Sequence, residues 1–112
     1  MNDKEKELYR IIDNVVNCCS IELKDGVRSI TREDVLGKSR AENIVMTRCM
    51  VVEQMLHAGF SVTTVSQVLS RKVSSVRHLQ KMAYTYLSTS RVYRLATAEA
   101  TLLNKDVEPI CI

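Results

Sequence analysis

Glycine and proline are scarce in this chain of 112 residues, which contains only three Gly and one Pro, Pro109 near its end. An all-β domain of this length needs a turn every ~8 to 12 residues, and turns depend on these two residue types. The sequence therefore excludes an all-β fold and predicts an all-α one. Its length gives room for one compact domain over residues 1–112 and excludes a multi-domain enzyme. We expect a bundle of about five or six helices.

Apolar residues recur at steps of three and four residues through five segments, which is the periodicity of amphipathic helices. The predicted helices cover residues 2–20, 39–57, 61–69, 73–87 and 90–104. The apolar residues of the last helix are Val92, Leu95, Ala96, Leu102 and Leu103. The first helix either covers the core of its own domain or faces a partner copy.

The segments between the first two long helices are predicted from their turn-forming residues. Residues 21–30 contain Asp25-Gly26 and no sustained period, so we expect an irregular connection with a turn there. Residues 31–36 predict a short helical turn, with Thr31 as its N-terminal cap and Gly37 in the left-handed conformation after it. Ser39 and Glu42 then have the spacing of a capping box, which predicts the start of the long helix.

The positive charge is concentrated in the middle of the chain. The formal net charge is +3, yet residues 37–94 carry nine basic and two acidic residues and sum to +7. Residues 1–36 and residues 95–112 each sum to −2. A localised basic surface is typical of a protein that binds a polyanion, although a solvated basic face without a partner has the same sequence signature.

Two short helices joined by three residues, over about residues 61–87, have the frame of a helix-turn-helix. The face of the second helix opposite its apolar residues carries donors at positions i, i+3, i+4 and i+7, and no acid. These residues are Ser74, Arg77, His78 and Lys81. Hydroxyl, guanidinium, imidazole and ammonium groups can donate to base edges and to phosphate oxygens when such a helix lies in the major groove.

Three stretches of sequence carry a family resemblance. Residues 29–40, Ser-Ile-Thr-Arg-Glu-Asp-Val-Leu-Gly-Lys-Ser-Arg, have a short helix followed by a basic Lys-x-Arg loop, and Arg40, Ile44 and Arg48 continue that register. Residues 61–65, Ser-Val-Thr-Thr-Val, precede residues 70–78, Ser-Arg-Lys-Val-Ser-Ser-Val-Arg-His. Together they resemble the C-terminal DNA-binding domain, domain IV, of the bacterial replication initiator DnaA, which belongs to the Trp-repressor-like helix-turn-helix superfamily. The family signature is Gly-Arg-Asp-His-Thr-Thr-Val-x-His, and this chain has one residue fewer in the turn.

The resemblance implies a bacterial protein that binds duplex DNA in replication or transcription control. It implies that Arg40 enters the minor groove, that Lys38 and Arg48 contact phosphates, and that Ser74 and Ser75 meet bases and backbone. The complete predicted DNA-binding set is Lys38, Arg40, Arg48, Arg71, Lys72, Ser74, Ser75, Arg77, His78 and Lys81.

Two signature positions differ, and the role of a third is open. The family's base-reading Asp and His are Lys72 and Val73 here, so recognition of the initiator's own box sequence is not implied. His78 matches the second His of the signature, where base contact and a packing or backbone role are both open.

Other function classes lack a motif in this sequence. Glycine occurs only at positions 26, 37 and 59, so there is no phosphate-binding loop and the chain alone is not an ATP-driven initiator. No His, Cys or carboxylate group has catalytic or metal-ligand spacing, so we expect no enzyme activity, no cofactor and no metal. The four cysteines are expected to be reduced packing residues of a cytoplasmic protein, since neither a secretory signal nor a membrane-spanning run occurs.

Two functions therefore compete. The first is sequence-selective binding of double-stranded DNA through the helix-turn-helix and the basic loop. The alternative is a protein-interaction module on the same scaffold, because Lys72 and Val73 replace base-reading residues and Val73 beside Tyr84 offers a small apolar contact. The oligomeric state, the DNA sequence, and whether the chain is a stand-alone protein or one domain of a larger one are open from sequence.

Overall fold

The computed structural model describes residues 2–23 and 26–106 and confirms the all-α fold. The helices in these residues are α1 (Asp3–Val16), α2 (Arg32–Leu36), α3 (Glu42–His57), α4 (Val62–Leu69), α5 (Val73–Thr89) and α6 (Arg91–Leu103). Helices α3 to α6 lie within a few residues of their predicted bounds, whereas α1 ends four residues before the predicted residue 20.

The predicted irregular connection is wrong, because two short strands form there. Strand β1 (Ser20–Leu23) pairs antiparallel with β2 (Gly26–Ser29), with Ser20 opposite Ser29. The sequence of β1, Ser20-Ile21-Glu22-Leu23, alternates between polar and apolar residues, which is the two-residue period of a strand. The turn predicted at Asp25-Gly26 lies partly outside the described residues.

Helix α3 is the centre of the bundle and contacts each of the other five helices. Its buried side chains point in all directions rather than along one stripe, which is typical of a helix surrounded by protein. They include Ile44, Cys49, Met50, Val51, Val52 and Met55. Helix α1 buries Leu8, Ile11, Ile12 and Val15 against this core. Of the two roles considered for α1, the structure thus supports a cover over the chain's own core.

Of the capping interactions predicted around α2 and α3, the Thr31 cap is confirmed and the other two are wrong. The capping box lies at α2, where Thr31 Oγ1 accepts from the Asp34 amide at 3.2 Å and Asp34 Oδ2 accepts from the Thr31 amide at 2.9 Å. Helix α3 has Ala41 at its N-cap position and no side-chain cap, so the predicted Ser39 capping box is wrong. Gly37 is extended, with φ −79° and ψ −166°, and not left-handed.

The connection between α4 and α5 ends α4 with a left-handed residue. Ser70 has φ 53° and ψ 46°. Its amide donates to the Gln67 carbonyl at 3.2 Å and the Arg71 amide donates to the Ser66 carbonyl at 2.9 Å, which is the pair of bonds of a Schellman motif. Behind this turn, Val65 and Leu69 of α4 and Val76 and Leu79 of α5 are buried.

The buried face of α6 is not the one its apolar residues predict. Tyr93, Thr97 and Ala100 face the core, whereas Val92, Leu95 and Leu102 are 76%, 61% and 70% exposed. Small Thr and Ala side chains let α6 approach its neighbours closely, and Tyr93 fills the space beside α5, where its ring lies 5.3 Å from that of Tyr86. The larger aliphatic residues consequently lie on the outer surface.

The cysteines within the described residues are free thiols. Cys49 belongs to the core, and Cys18 and Cys19 are partly buried against it, which confirms their role in packing, while Cys111 lies outside the described residues. Burial raises the pKa of Cys49 from 9.0 to about 12. None of the described helices is both long and apolar enough to cross a membrane.

Candidate nucleic-acid interface

The outward face of α5 displays the donor stripe expected from the sequence. Ser74, Arg77, His78 and Lys81 are all exposed, and so are Lys72 and Ser75 at the start of the helix. The opposite face is fixed by buried Val76, Leu79 and Ala83, so the rotation of α5 about its axis is set by the core. His78 is exposed and is therefore not part of the core, and its contact with bases or with the DNA backbone stays a prediction.

The basic loop before α3 provides the second group of exposed cations. Lys38, Ser39 and Arg40 are exposed, with Gly37 partly buried beside them. Ser39 Oγ accepts from the Ala41 amide at 3.2 Å, which shapes the last turn of the loop before the helix starts. The side chains of Lys38 and Arg40 therefore project from a short segment that is held at both ends.

The side chain of Arg48 is too little exposed to bind a phosphate group. Its side chain is buried, with 5% of the residue exposed. The guanidinium donates to four backbone carbonyls around the loop: Val35 at 2.9 Å, Gly37 at 3.0 Å, Ser39 at 3.1 Å and Asp34 at 3.2 Å. The predicted phosphate contact is thus wrong, because the groups that would bind an anion already bond to the chain itself.

Arg71 lies in the turn between α4 and α5 and is partly buried. Its guanidinium donates to the Gly37 carbonyl at 2.6 Å and to the Leu69 carbonyl at 3.2 Å. The first bond joins residues 34 positions apart in sequence and places the basic loop against the start of α5. Arg71 therefore connects the two groups of exposed cations.

A shallow surface cavity of about 270 Å³ lies where these elements meet, and it is lined by Arg48, Arg71, Ser74, Ser75, His78 and Leu79. The hydrogen bonds that the guanidiniums of Arg48 and Arg71 make within the described residues go to backbone carbonyl oxygens, which carry no net negative charge. Burial and the neighbouring Arg71 guanidinium lower the pKa of Arg48, and burial lowers that of Arg71. Even lowered, an arginine pKa leaves the group charged near neutral pH.

Acidic residues are absent from a long part of the sequence around this surface. No Asp or Glu occurs between Glu53 and Glu99, a segment that includes all of α4 and α5. Around the loop, the nearest acidic residues in sequence are Asp34 and Glu42. The charged side chains of α5 itself are consequently all positive, and an anion near the first turn of α5 would also meet the positive end of the helix dipole.

The apolar contact expected of the alternative function does not form one patch. Val73 and Tyr84 are both exposed, at 37% and 56%, and lie on α5. Eleven residues separate them, so they lie about 16 Å apart along the helix axis. The predicted adjacency is therefore wrong.

Comparisons with protein-family models, with curated proteins and with solved structures find no match to this chain. Among the described residues there is also no group of three His, Cys, Asp or Glu side chains that could hold a metal ion. The functional conclusion therefore depends on the chemistry of the surface itself.

The residue whose role the sequence analysis missed is Gly37. Its carbonyl accepts from both Arg48 and Arg71, which makes it the meeting point of α3, the loop and the α4–α5 turn. A backbone acceptor leaves no signal in a sequence. The burial of Arg48 does leave one, because Arg48 lies four residues from both Ile44 and Val52, which are buried on α3.

Proposed function

We propose that this chain binds double-stranded DNA, with the start and outer face of α5 in the major groove and the loop of Lys38 and Arg40 against the adjacent backbone and minor groove. The observation that supports the proposal most is the bond from Arg71 to the Gly37 carbonyl, which joins the loop and α5 into one basic surface. Because the helix and the loop are held together, α5 can lie in the major groove of a duplex while the loop contacts the adjacent minor groove.

The exposed side chains divide into two roles. Lys72, Arg77 and Lys81 with Lys38 and Arg40 supply five cations that can neutralise phosphates, and they account for most of the affinity. Ser74, Ser75 and His78 lie in the first turns of the helix, where side chains reach base edges, and they set the preferred sequence. Replication or transcription control in bacteria is the setting that the family resemblance favours.

The test is fluorescence anisotropy of the purified protein with a labelled random-sequence duplex and with an initiator-box duplex, each at several salt concentrations. Five neutralised phosphates predict that log K falls against log salt with a slope of about −4.5. A triple variant, Lys72→Gln with Arg77→Gln and Lys81→Gln, should reduce that slope by about 3.

A matched variant controls for the loss of charge. Lys4→Gln with Lys6→Gln and Lys105→Gln also removes three positive charges, from exposed positions outside α5 and the loop of Lys38 and Arg40. We expect it to lower affinity only slightly and to leave the slope unchanged. Equal losses of DNA affinity in the two triple variants would contradict the proposed surface. If the wild-type protein binds no duplex even at low salt, the proposal of DNA binding is wrong.

A second candidate function is protein–protein interaction, and the exposed face of α6 favours it. Leu95 and Leu102 are seven residues apart and therefore share one face of the helix. Arg94 and Glu99 flank that face with opposite charges, an arrangement that pairs across two adjacent helices. A second copy of this chain, packed α6 against α6, is the partner that these features fit.

Sedimentation equilibrium over a range of protein concentrations tests this candidate. A single helix pair buries less area than a standard interface, so we expect a weak dimer with a dissociation constant on the order of micromolar. Leu102→Glu should abolish it, whereas Tyr84→Glu, at an exposed apolar residue on α5, should not. A wild-type protein that is monomeric at every concentration would contradict the candidate.

A further inference from the structure

We propose that Arg71 and Arg48 are positioning residues that fix the loop of Lys38 and Arg40 relative to α5, so that the contacts of the loop depend on the α4–α5 turn. The loop contacts and the α5 contacts would then act as one unit when the protein binds DNA. This inference rests on the proposed DNA binding for its functional part, and on the hydrogen bonds around Gly37 for its structural part.

The first support is the way in which Arg48 holds the loop backbone. Its guanidinium donates to the carbonyls of Gly37 and Ser39, which lie on either side of Lys38. It also bonds to the carbonyls of Asp34 and Val35 in α2. Because Arg48 belongs to the central helix and is buried, these bonds fix the loop to the core.

The second support is that Arg71 holds the same carbonyl from the other side. The hydrogen bond from its Nη2 to the Gly37 oxygen, at 2.6 Å, is shorter than those from Arg48 to the loop, at 3.0 and 3.1 Å. Arg71 directly follows the left-handed Ser70, and its own amide is bonded to the Ser66 carbonyl, so its backbone position is fixed by the end of α4. The turn that leads into α5 and the loop that precedes α3 therefore move together.

The remaining hydrogen bonds of the loop are local. Within the described residues, the amide of Gly37 donates to Glu33, and the amide of Ala41 donates to Ser39 Oγ. Helix α3 has no side-chain cap that would hold the end of the loop. The two arginines thus supply the tertiary hydrogen bonds that determine where Lys38 and Arg40 project.

Limited proteolysis with trypsin measures the structural part without DNA, since Lys38 and Arg40 are themselves exposed trypsin sites. Cleavage of a folded chain requires local release of the backbone around the bond that is cut. For Arg71→Gln we expect cleavage after Lys38 and Arg40 to be at least about fivefold faster than in the wild type. Cleavage after Lys81, inside α5, reports unfolding of the whole domain and should change little.

The matched control is Lys72→Gln, which removes one positive charge and one trypsin site from the neighbouring, exposed position. It should leave cleavage of the loop at the wild-type rate. Arg71→Lys keeps the charge but has one ammonium in place of a forked guanidinium, so it should restore only part of the protection. Unchanged cleavage of the loop in Arg71→Gln would overturn the proposal.

A double-mutant cycle on DNA affinity measures the functional part. If Arg40 contacts DNA from a fixed loop, Arg40→Ala costs about tenfold in the wild type. In the Arg71→Gln background the same change should cost less than about threefold, whereas in the Lys72→Gln background it should still cost about tenfold.

The two experiments separate the possible failures. Faster loop cleavage with an equal cost of Arg40→Ala in all backgrounds would overturn the dependence of loop contacts on Arg71. Faster loop cleavage in a protein that binds no DNA would overturn the proposed function, and would support the structural part alone.

Discussion

Gln54 and Asn104, 50 residues apart in sequence, form a buried hydrogen bond in which Asn104 Nδ2 donates to Gln54 Oε1 at 3.1 Å. Asn104 Oδ1 accepts from Asn14 Nδ2 at 2.8 Å, and Gln54 Nε2 donates to Thr101 Oγ1 at 3.0 Å. These bonds connect α1, α3 and α6 through polar side chains in the interior. Because each amide has partners on both its donor and its acceptor side, the network specifies how the C-terminal end of α6 docks.

Asn104→Leu should destabilise the domain by about 1 to 3 kcal/mol, because Gln54 Oε1 would then be buried without a donor. Urea denaturation measures the change in the free energy of unfolding. The double variant Gln54→Leu with Asn104→Leu should recover part of the loss, since replacing both partners leaves fewer buried groups unsatisfied. Lys105→Leu, at the exposed neighbouring position, serves as the control. A stable Asn104→Leu protein would show that the network contributes little.

Arg48→Leu should destabilise the domain by about 3 kcal/mol or more, because four carbonyls around the loop would lose a buried, charged donor. Arg77→Leu, at an exposed arginine on α5, should change the stability by less than about 0.5 kcal/mol. If Arg48→Leu fails to fold, Arg48→Lys gives the comparison, since it keeps the charge and loses the fork. Equal stabilities of the Arg48 and Arg77 variants would contradict the structural role of Arg48.

The longer helices of this protein were predictable because each repeats its pattern over several turns, whereas α2 was predictable from its Thr31 cap. The face of α5 was equally clear, since buried Val76, Leu79 and Ala83 determine which residues are exposed. The hairpin of β1 and β2 was not predictable in the same way. Each of its strands has four residues, too few for an alternating pattern to be distinguished from an irregular segment.

The errors at α6 and Arg48 have a different physical cause, which is that residue type and position gave conflicting signals. In α6 the aliphatic residues form one stripe and the small residues another, and the core selects the stripe that permits close packing. For Arg48, its charge indicated the surface whereas its spacing from Ile44 and Val52 indicated the core. In the structure, four backbone carbonyls accept hydrogen bonds from the guanidinium, so Arg48 can be buried. The positions of these carbonyls cannot be inferred from side-chain patterns.

Ser70→Gly should stabilise the domain by up to about 1 kcal/mol. Ser70 is exposed and has the left-handed conformation with φ 53°, which an L-residue adopts at a cost and glycine adopts freely. Thermal denaturation should therefore show a higher Tm. Ala98→Gly, in the exposed middle of α6, should have the opposite sign because its backbone is helical. A lower Tm for Ser70→Gly would indicate that the hydroxyl has a role of its own.

The stability of the protein should fall as the pH rises above 9, in part through Cys49. Burial raises the pKa of its thiol from 9.0 to about 12, so the unfolded chain releases this proton at a lower pH than the folded one. The contribution of Cys49 is fully present below pH 9 and is lost as the pH rises towards 12. It amounts to a slope of at most about 1.4 kcal/mol per pH unit.

Cys49→Ala tests this by removing the titrating group. The variant should be less stable at neutral pH because of the cavity, and its stability should fall less steeply than that of the wild type between pH 9 and 11. Val51→Ala, also fully buried on α3, matches the loss of packing without removing a thiol, and should keep the wild-type slope. Parallel pH curves for all three proteins would show that Cys49 does not titrate differently in the folded state.

Under the proposed DNA-binding function, Lys81→Gln should weaken binding to all DNA sequences alike. Lys81 lies two turns after Ser74 on the exposed face of α5, where a flexible ammonium group reaches phosphates rather than base edges. The salt slope should decrease by about 1, and the ratio of affinities for any two duplexes should stay constant. Ser74→Ala provides the contrast, because a hydroxyl at the start of the helix contributes through bases and its loss should change that ratio. A loss of affinity for one duplex only in Lys81→Gln would reassign this residue from the phosphates to the bases.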